Sequence, residues 1–210
     1  MRNVACTLLM LAMPSLVMAQ EQAKKEFPPG FTVRTDNPAE PLTGIDFVTM
    51  SPGWHLTTGP AAIVYNPSNA ASGEYRVETE TFLFDPGRRN EAYGIFFGGS
   101  ALTGAGQSYT YFMIRRSGEF LVKRRSGDQF TVVTEWTAHP AILRYDDKGE
   151  AGTAKNILAV EVGRERVRFF VNGQEVGSVA RSAVSTDGVV GLRVNHSLNL
   201  HVTRLDIRPT

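Results

Sequence analysis

Glu78-Thr79-Glu80 places two carboxylates at positions i and i+2. On a strand such residues share a face about 6.6 Å apart, a separation at which paired carboxylates can cleave a glycosidic bond, one as acid and the other as nucleophile or base. The intervening residues Val77, Thr79, Thr81 and Leu83 alternate with them and form an inward face. The same two glutamates therefore also read as solvated acids on the outside of a sheet, and that reading takes precedence because exposed strand acids are common and glycosidase pairs rare.

The stretch "YTYFMIRRSGEFLVKRRSGDQFTVVTEW" offers a second chemistry. With two-residue turns, it folds into three strands in which Arg116 pairs with Glu119 and Arg125 with Asp128. One face then collects Phe112, Ile114, Leu121, Phe130, Val132 and Trp136 as core. The other collects Tyr109, Tyr111, Met113, Arg115, Phe120, Val122, Arg124, Gln129 and Glu135, with Arg124 opposite both Tyr111 and Gln129. Aromatic rings stack on the apolar faces of sugars, and planar polar groups hydrogen-bond their hydroxyls. Tyr109, Tyr111, Arg115 and Arg124 are thus the candidate ligand-binding residues. An ordinary half-exposed face, with tyrosines over aliphatic surface and arginines snorkelling, is the competing reading. The five bases Arg115, Arg116, Lys123, Arg124 and Arg125 divide between two faces and read as a solvated charge run.

Other chemistries find little support. His196 and His201 are five apart, which on a strand means opposite faces, and His55 and His139 complete no ligand spacing, so no metal is expected. The "DPGRRNE" segment from Asp85 to Glu91 has oxygens but not the spacing of a calcium loop. "GGSALTGAG" joins two strands instead of opening a helix, which excludes a phosphate cradle. Gly106-Gln107-Ser108-Tyr109-Thr110 lacks the second glycine of a nucleophile elbow. No cofactor is expected.

These residues need strands to position them. From Phe31 onward no segment sustains helical periodicity, while runs of Val, Ile, Phe, Tyr and Thr recur between Gly, Asn, Asp and Ser clusters. In "RFFVNGQEVGSV", Asn172-Gly173 can take positive φ at both central positions of a type I′ turn, so the dipeptide fixes hairpin register. Strands are predicted at 75–84, 93–97, 156–162, 189–194 and 198–207 in addition to the meander. That number requires two packed antiparallel sheets.

The succession "GEYRVETETFLF", "EAYGIFFGG", "QSYTYFMIRRSGEFLVKRR", "TEWTAHPAI", "KNILAVEVGRERVRFFVNGQEV" and "GVVGLRVNHSLNLHVTRLDI" resembles the all-β concanavalin A-like lectin and glucanase jelly roll over roughly Trp54 to Ile207. Within it, the chain is similar to laminin G-like modules and to bacterial 3-keto-disaccharide hydrolase domains, also called family 16 glycoside hydrolase-like. The resemblance implies a two-sheet antiparallel sandwich and a glycan or polysaccharide partner. Family 16 hydrolases carry an E-x-D-x-x-E pattern along one strand. The nearest match here is Glu78-Thr79-Glu80, with glutamate for the central aspartate and Phe82 and Leu83 where the third acid would fall. The "NSGIF" type of motif appears only as "EAYGIFF", and the opening glycine-tryptophan segment as Gly53-Trp54.

The N-terminus, "MRNVACTLLMLAMPSLVMAQ", has a basic start, an apolar stretch and small residues before Gln20, so residues 1–19 read as a signal peptide cleaved after Ala19. Residues 20–30 read as a polar linker ending in Pro28-Pro29-Gly30, and 31–210 as one domain. The only cysteine, Cys6, lies in the leader, which excludes thiolate and zinc-cysteine chemistry from the mature chain. Without Arg2, 21 bases face 21 acids, which argues against nucleic acid. No later run is long enough for a membrane span. The reading is an exported, periplasmic or secreted, non-catalytic carbohydrate-binding or extracellular-recognition module. The alternatives are a glycoside-cleaving enzyme resembling 3-keto-disaccharide hydrolases and a structural protein of the envelope.

Overall fold

The computed structural model describes residues 27–210; the leader, its cleavage point and residues 20–26 of the linker lie outside the described residues. Period-two alternation builds the strands β1 (Thr32–Thr35), β2 (Ile45–Thr49), β3 (Trp54–Thr58), β4 (Ala62–Ala71), β5 (Tyr75–Leu83), β6 (Ala92–Ser100) and β7 (Ser108–Arg115). They are followed by β8 (Glu119–Ser126), β9 (Gln129–Ala138), β10 (Ala154–Val162), β11 (Arg166–Val171), β12 (Gln174–Ala180), β13 (Gly188–Val194) and β14 (Asn199–Pro209). The first sheet runs β1-β4-β13-β6-β7-β8-β9 and the second β12-β11-β10-β5-β14-β3-β2. Both are antiparallel throughout.

The core lies between the sheets. Ile95, Phe97, Phe112, Ile114, Phe120 and Val122 of the first sheet meet Val77, Leu83, Leu158, Val160 and Phe169 of the second. β5 buries every second residue, Val77, Thr79, Thr81 and Leu83 among them, as its alternation requires. A separate cluster covers the outer face of the first sheet, where Ile63, Tyr65, Phe96, Tyr109, Tyr111, Met113 and Leu121 pack with Leu102. Among the described residues no helix is long and apolar enough to cross a membrane.

Two turns decide which side chains face which way. Between β11 and β12, Asn172 (φ 50°) and Gly173 (φ 81°) are both left-handed, and Val171 pairs with Gln174, the type I′ geometry expected of Asn-Gly. The Asn172 side chain also accepts a hydrogen bond from the Ile157 N–H and donates to the Ala141 carbonyl. The turn between β7 and β8 differs from expectation. Arg115, and not Arg116, pairs with Glu119, so the loop holds three residues, 116–118, with Gly118 left-handed at φ 86°. At the next turn Ser126 pairs with Gln129, leaving Gly127 and Asp128 as the loop in place of an Arg125–Asp128 pair.

A one-residue difference in register turns every side chain of a strand to its other face. Phe112 and Ile114 are core as expected, but Phe120 and Val122 join them, while Leu121 points out. Tyr111 faces Lys123, and Arg124 pairs with Thr110 and Thr131. Phe130 and Val132, opposite Arg125 and Lys123, stand on the outer face and are exposed, and Trp136 packs on the outer cluster.

Candidate functional site

The outer face of the first sheet is built in rows across the strands. Tyr65, Gly191, Phe96, Tyr111 and Lys123 form one row, and Ile63, Arg193, Gly94, Met113 and Leu121 the next. Gly191 leaves room for the Phe96 ring, since a Cβ there would lie 2.5 Å from it. The rings of Tyr65, Phe96, Tyr109 and Tyr111 then follow one another at centroid distances of 6.0, 5.3 and 5.7 Å. Edge-to-face and offset contacts of this kind add to the stability gained by burial alone.

Over this aromatic floor lies an ion triad. Asp36, just after β1, accepts hydrogen bonds from Arg193 on β13 (Nη1 to Oδ1, 2.7 Å) and from Arg125 on β8 (Nη1 to Oδ1, 2.6 Å). The Arg193 guanidinium stands 5.6 Å from the Tyr111 ring centre. Both arginines are almost fully buried, Arg125 at 3% and Arg193 at 4% exposure. The chain entering from β1 thus straps the outer face, and Arg125 is no part of a solvated charge run.

Beside the strap opens a groove of ≈ 350 Å³. Its walls carry Trp136 and Phe130 from β9, Lys123 from β8, Arg193 from β13, and Asn195 and His196 just beyond β13, with Tyr111 in the floor. Phe130 is 48% exposed, a large apolar ring facing solvent. One side of Trp136 is covered by Arg115, whose guanidinium lies 4.1 Å over the ring while Nε and Nη2 bind Glu119 at 2.8 and 2.7 Å. A second depression of ≈ 470 Å³ lies at the β1 edge of the same face, lined largely by small and aliphatic side chains around Tyr65.

The four expected ligand residues separate. Tyr111 and Arg115 do belong to this face, Tyr111 as groove lining and Arg115 as the support of Trp136. Tyr109 lies on the same face but is 1% exposed within the cluster, and Tyr111 is 3% exposed, so neither presents an open ring. Burial pushes the Tyr111 phenol up to about 12. Arg124 is on the opposite face of β8, where its Nη1 donates to the Ala183 carbonyl at the rim of the sandwich. The three-residue turn is the cause.

Glu78 and Glu80 do not share the sheet. They lie on β5 in the second sheet, on its outward face. Arg204 and Arg76 donate to Glu78 at 2.7 and 3.1 Å, and Glu80 accepts from Thr203 (3.0 Å) and pairs with Lys155 (2.9 Å). Partial burial pushes both carboxyls up, but the hydrogen bonds from Arg204 and Arg76, and from Lys155 and Thr203, outweigh it and leave both below the ordinary carboxylate range. An acid held ionised in this way is poorly suited to donate a proton at neutral pH. Among the described residues no three His, Cys, Asp or Glu side chains gather as a metal site.

No family model matches the sequence, and no curated protein matches it. Solved structures do share the architecture. The carbohydrate-binding module CBM66 from Bacillus subtilis superposes with a TM-score of 0.61 at 13% identity, covering 85% of this chain and 95% of that one. A Bacillus subtilis protein of unknown function with a galectin-like fold gives 0.64 at 10% identity, covering 85% and 89%. Bacillus licheniformis β-glucanase gives 0.60 at 9%, covering 88% and 95%. The fold is a concanavalin A-like jelly roll.

On this jelly roll the aromatic groove and the carboxylate ladder occupy different sheets. Sequence reasoning missed Trp136, Phe130, Lys123, Arg193 and Asn195. The first two were assigned to the core through the register of the meander. Ser117-Gly118 is equally compatible with a three-residue loop ending in a left-handed glycine, and that alternative would have turned Phe130 and Trp136 outward. Arg193 carried its own signal: Val190, Leu192 and Val194 alternate inward, so the arginine between them had to face out.

Proposed function

We propose that this jelly roll is a non-catalytic polysaccharide-binding module, exported to the periplasm or beyond, and that it binds in the groove bordered by β8, β9 and the end of β13. The observation that carries the proposal is the pairing of a half-buried Trp136 and an exposed Phe130 with the polar groups of Lys123, Arg193, Asn195 and His196 in one ≈ 350 Å³ groove. Rings in such a wall offer apolar area to sugar C–H faces, and the polar groups fix orientation. Cleavage of glycosides is the second reading, through Glu78 and Glu80. It is weakened by their locked ion pairs and by their position on the other sheet. Support for export comes from the composition of residues 1–19 and from the absence of cysteine in the rest of the chain.

A glycan-array screen of residues 20–210 tests the proposal, with Trp136→Ala as control. Binding that Trp136→Ala abolishes, while Glu78→Gln leaves it intact, is the expected result. Glycan turnover lost in Glu78→Gln or Glu80→Gln would favour the enzyme instead.

A further inference from the structure

We infer that the groove is built for a carboxylate-bearing polysaccharide, a polymer containing uronic acid residues. The inference rests on the binding role proposed above and narrows its ligand class. Its basis is a local imbalance of donors and acceptors. A neutral sugar hydroxyl donates one hydrogen bond and accepts two, so a site for neutral sugars needs acceptors among its side chains. Among the described residues lining this groove there is no Asp or Glu; Asn195 and His196 can accept, but the Asn195 Oδ1 already faces the Arg193 Nη2 at 3.4 Å, and Lys123 and Arg193 are donors only. A carboxylate is an acceptor only and matches such a wall.

The charge balance points the same way. The whole chain is nearly neutral, with 22 basic and 21 acidic residues, so the imbalance belongs to this face. Asp36 is shared between two buried guanidiniums, those of Arg125 and Arg193, and the other acid near Arg125 is Asp128, 97% exposed and 3.9 Å away. Glu119, which meets Trp136 through Arg115, is closed on that arginine in a two-pronged bond. Lys123 has no ion-pair partner among the described residues. Arg193, 96% buried, keeps an Nε–H without an acceptor there. One cation is therefore left uncompensated at the groove's wall, with a buried donor beside it. Trp136 and Phe130 supply stacking surface within the same groove, which distinguishes it from a bare basic patch.

The test compares polygalacturonate with the same polymer after its carboxyl groups are reduced to alcohols, and with dextran sulfate, each titrated by calorimetry into the wild-type protein and into Lys123→Gln, Lys123→Arg and Trp136→Ala. Circular dichroism and melting curves confirm that each variant is folded. The expected result is binding of polygalacturonate that weakens with added salt, falls about tenfold for the reduced polymer and for Lys123→Gln, is largely kept by Lys123→Arg, and is lost in Trp136→Ala. Equal or tighter binding of the reduced polymer, lost in Trp136→Ala, would overturn the acidic class and leave the groove as the site. Dextran sulfate bound equally by wild type and Trp136→Ala, with no preference for polygalacturonate, would overturn the inference as simple polyelectrolyte attraction. Neutral polymers bound with Trp136→Ala unaffected would overturn the groove itself.

Discussion

Replacing Asp36 by Asn should be among the most destabilising surface-proximal changes in this protein. Its carboxylate is the shared counter-ion of two guanidiniums whose side chains are only 3% and 5% exposed. Removing one partner of a buried ion pair typically costs about 3–5 kcal/mol, because the remaining charge is stranded away from water. Two features bring the expectation to the lower end. Asp36 itself is 28% exposed, so water can reach the vacated position, and the asparagine oxygen can still accept from one arginine. A loss of about 3 kcal/mol follows, and in a chain of this size each kcal/mol moves the melting temperature by about 2–4 °C, so the midpoint should fall by roughly 6–12 °C. Urea and thermal unfolding of the single variants and of the double variant with Arg193→Gln measure both the loss and the coupling. A loss below about 1 kcal/mol, or strictly additive effects of two residues in direct contact, would refute the view that the strap is held by this triad.

Gly173→Val should destabilise by more than about 1 kcal/mol through backbone strain alone, since the residue sits at φ 81° with nothing near its missing Cβ; an unchanged melting curve rejects the turn. Tyr111→Ala should lower stability by about 3–5 kcal/mol, the usual range for emptying a buried aromatic position, because its ring lies in the outer cluster; a variant as stable as wild type would mean that the ring contributes no packing. Acid should weaken the fold. Glu78, Glu80 and Glu119 have folded-state pKa values depressed below their unfolded ones, so their contribution is complete above about pH 4.3 and is lost as pH falls through the folded values. Urea midpoints between pH 6 and pH 3 should decline in that direction, and Glu78→Gln should flatten the decline.

Alternation and turn residues made β5 to β14 readable: β5 buries every second residue, while β6 and β7, buried on both faces, are marked by their runs of aromatic and β-branched residues. The strands before Tyr75 were not read. β4 contains Asn66 and Pro67, residues that ordinarily end a strand, and it accommodates them where its pairing with β13 shifts register between Val189 and Gly191. β1 has only four residues. For the site, residue types were legible but facing was not. Whether a Ser-Gly turn holds two or three residues is settled by long-range packing of Phe120 and Val122 into the core, which adjacent sequence does not encode. The strap was invisible for the same reason: Asp36 and Arg193 are 157 residues apart, and only the closed sandwich joins them.

The irregular pairing along β9 has a consequence for how copies of the protein meet. β9 ends the first sheet and bonds to β8 alone, so its outer backbone edge is unpaired among the described residues. Together with exposed Phe130 and Val132 it has the ingredients of a template for self-association. Against β8, however, it carries two one-residue insertions, between the pairs Lys123–Val132, Val122–Thr134 and Phe120–Thr137. Each insertion bends the strand and breaks the spacing of its free N–H and C=O groups. A second molecule approaching edge to edge finds a regular run of only four residues, Gln129 to Val132, before the first insertion, too short for a long ladder, and the exposed ring of Phe130 stays available without joining sheets into fibres.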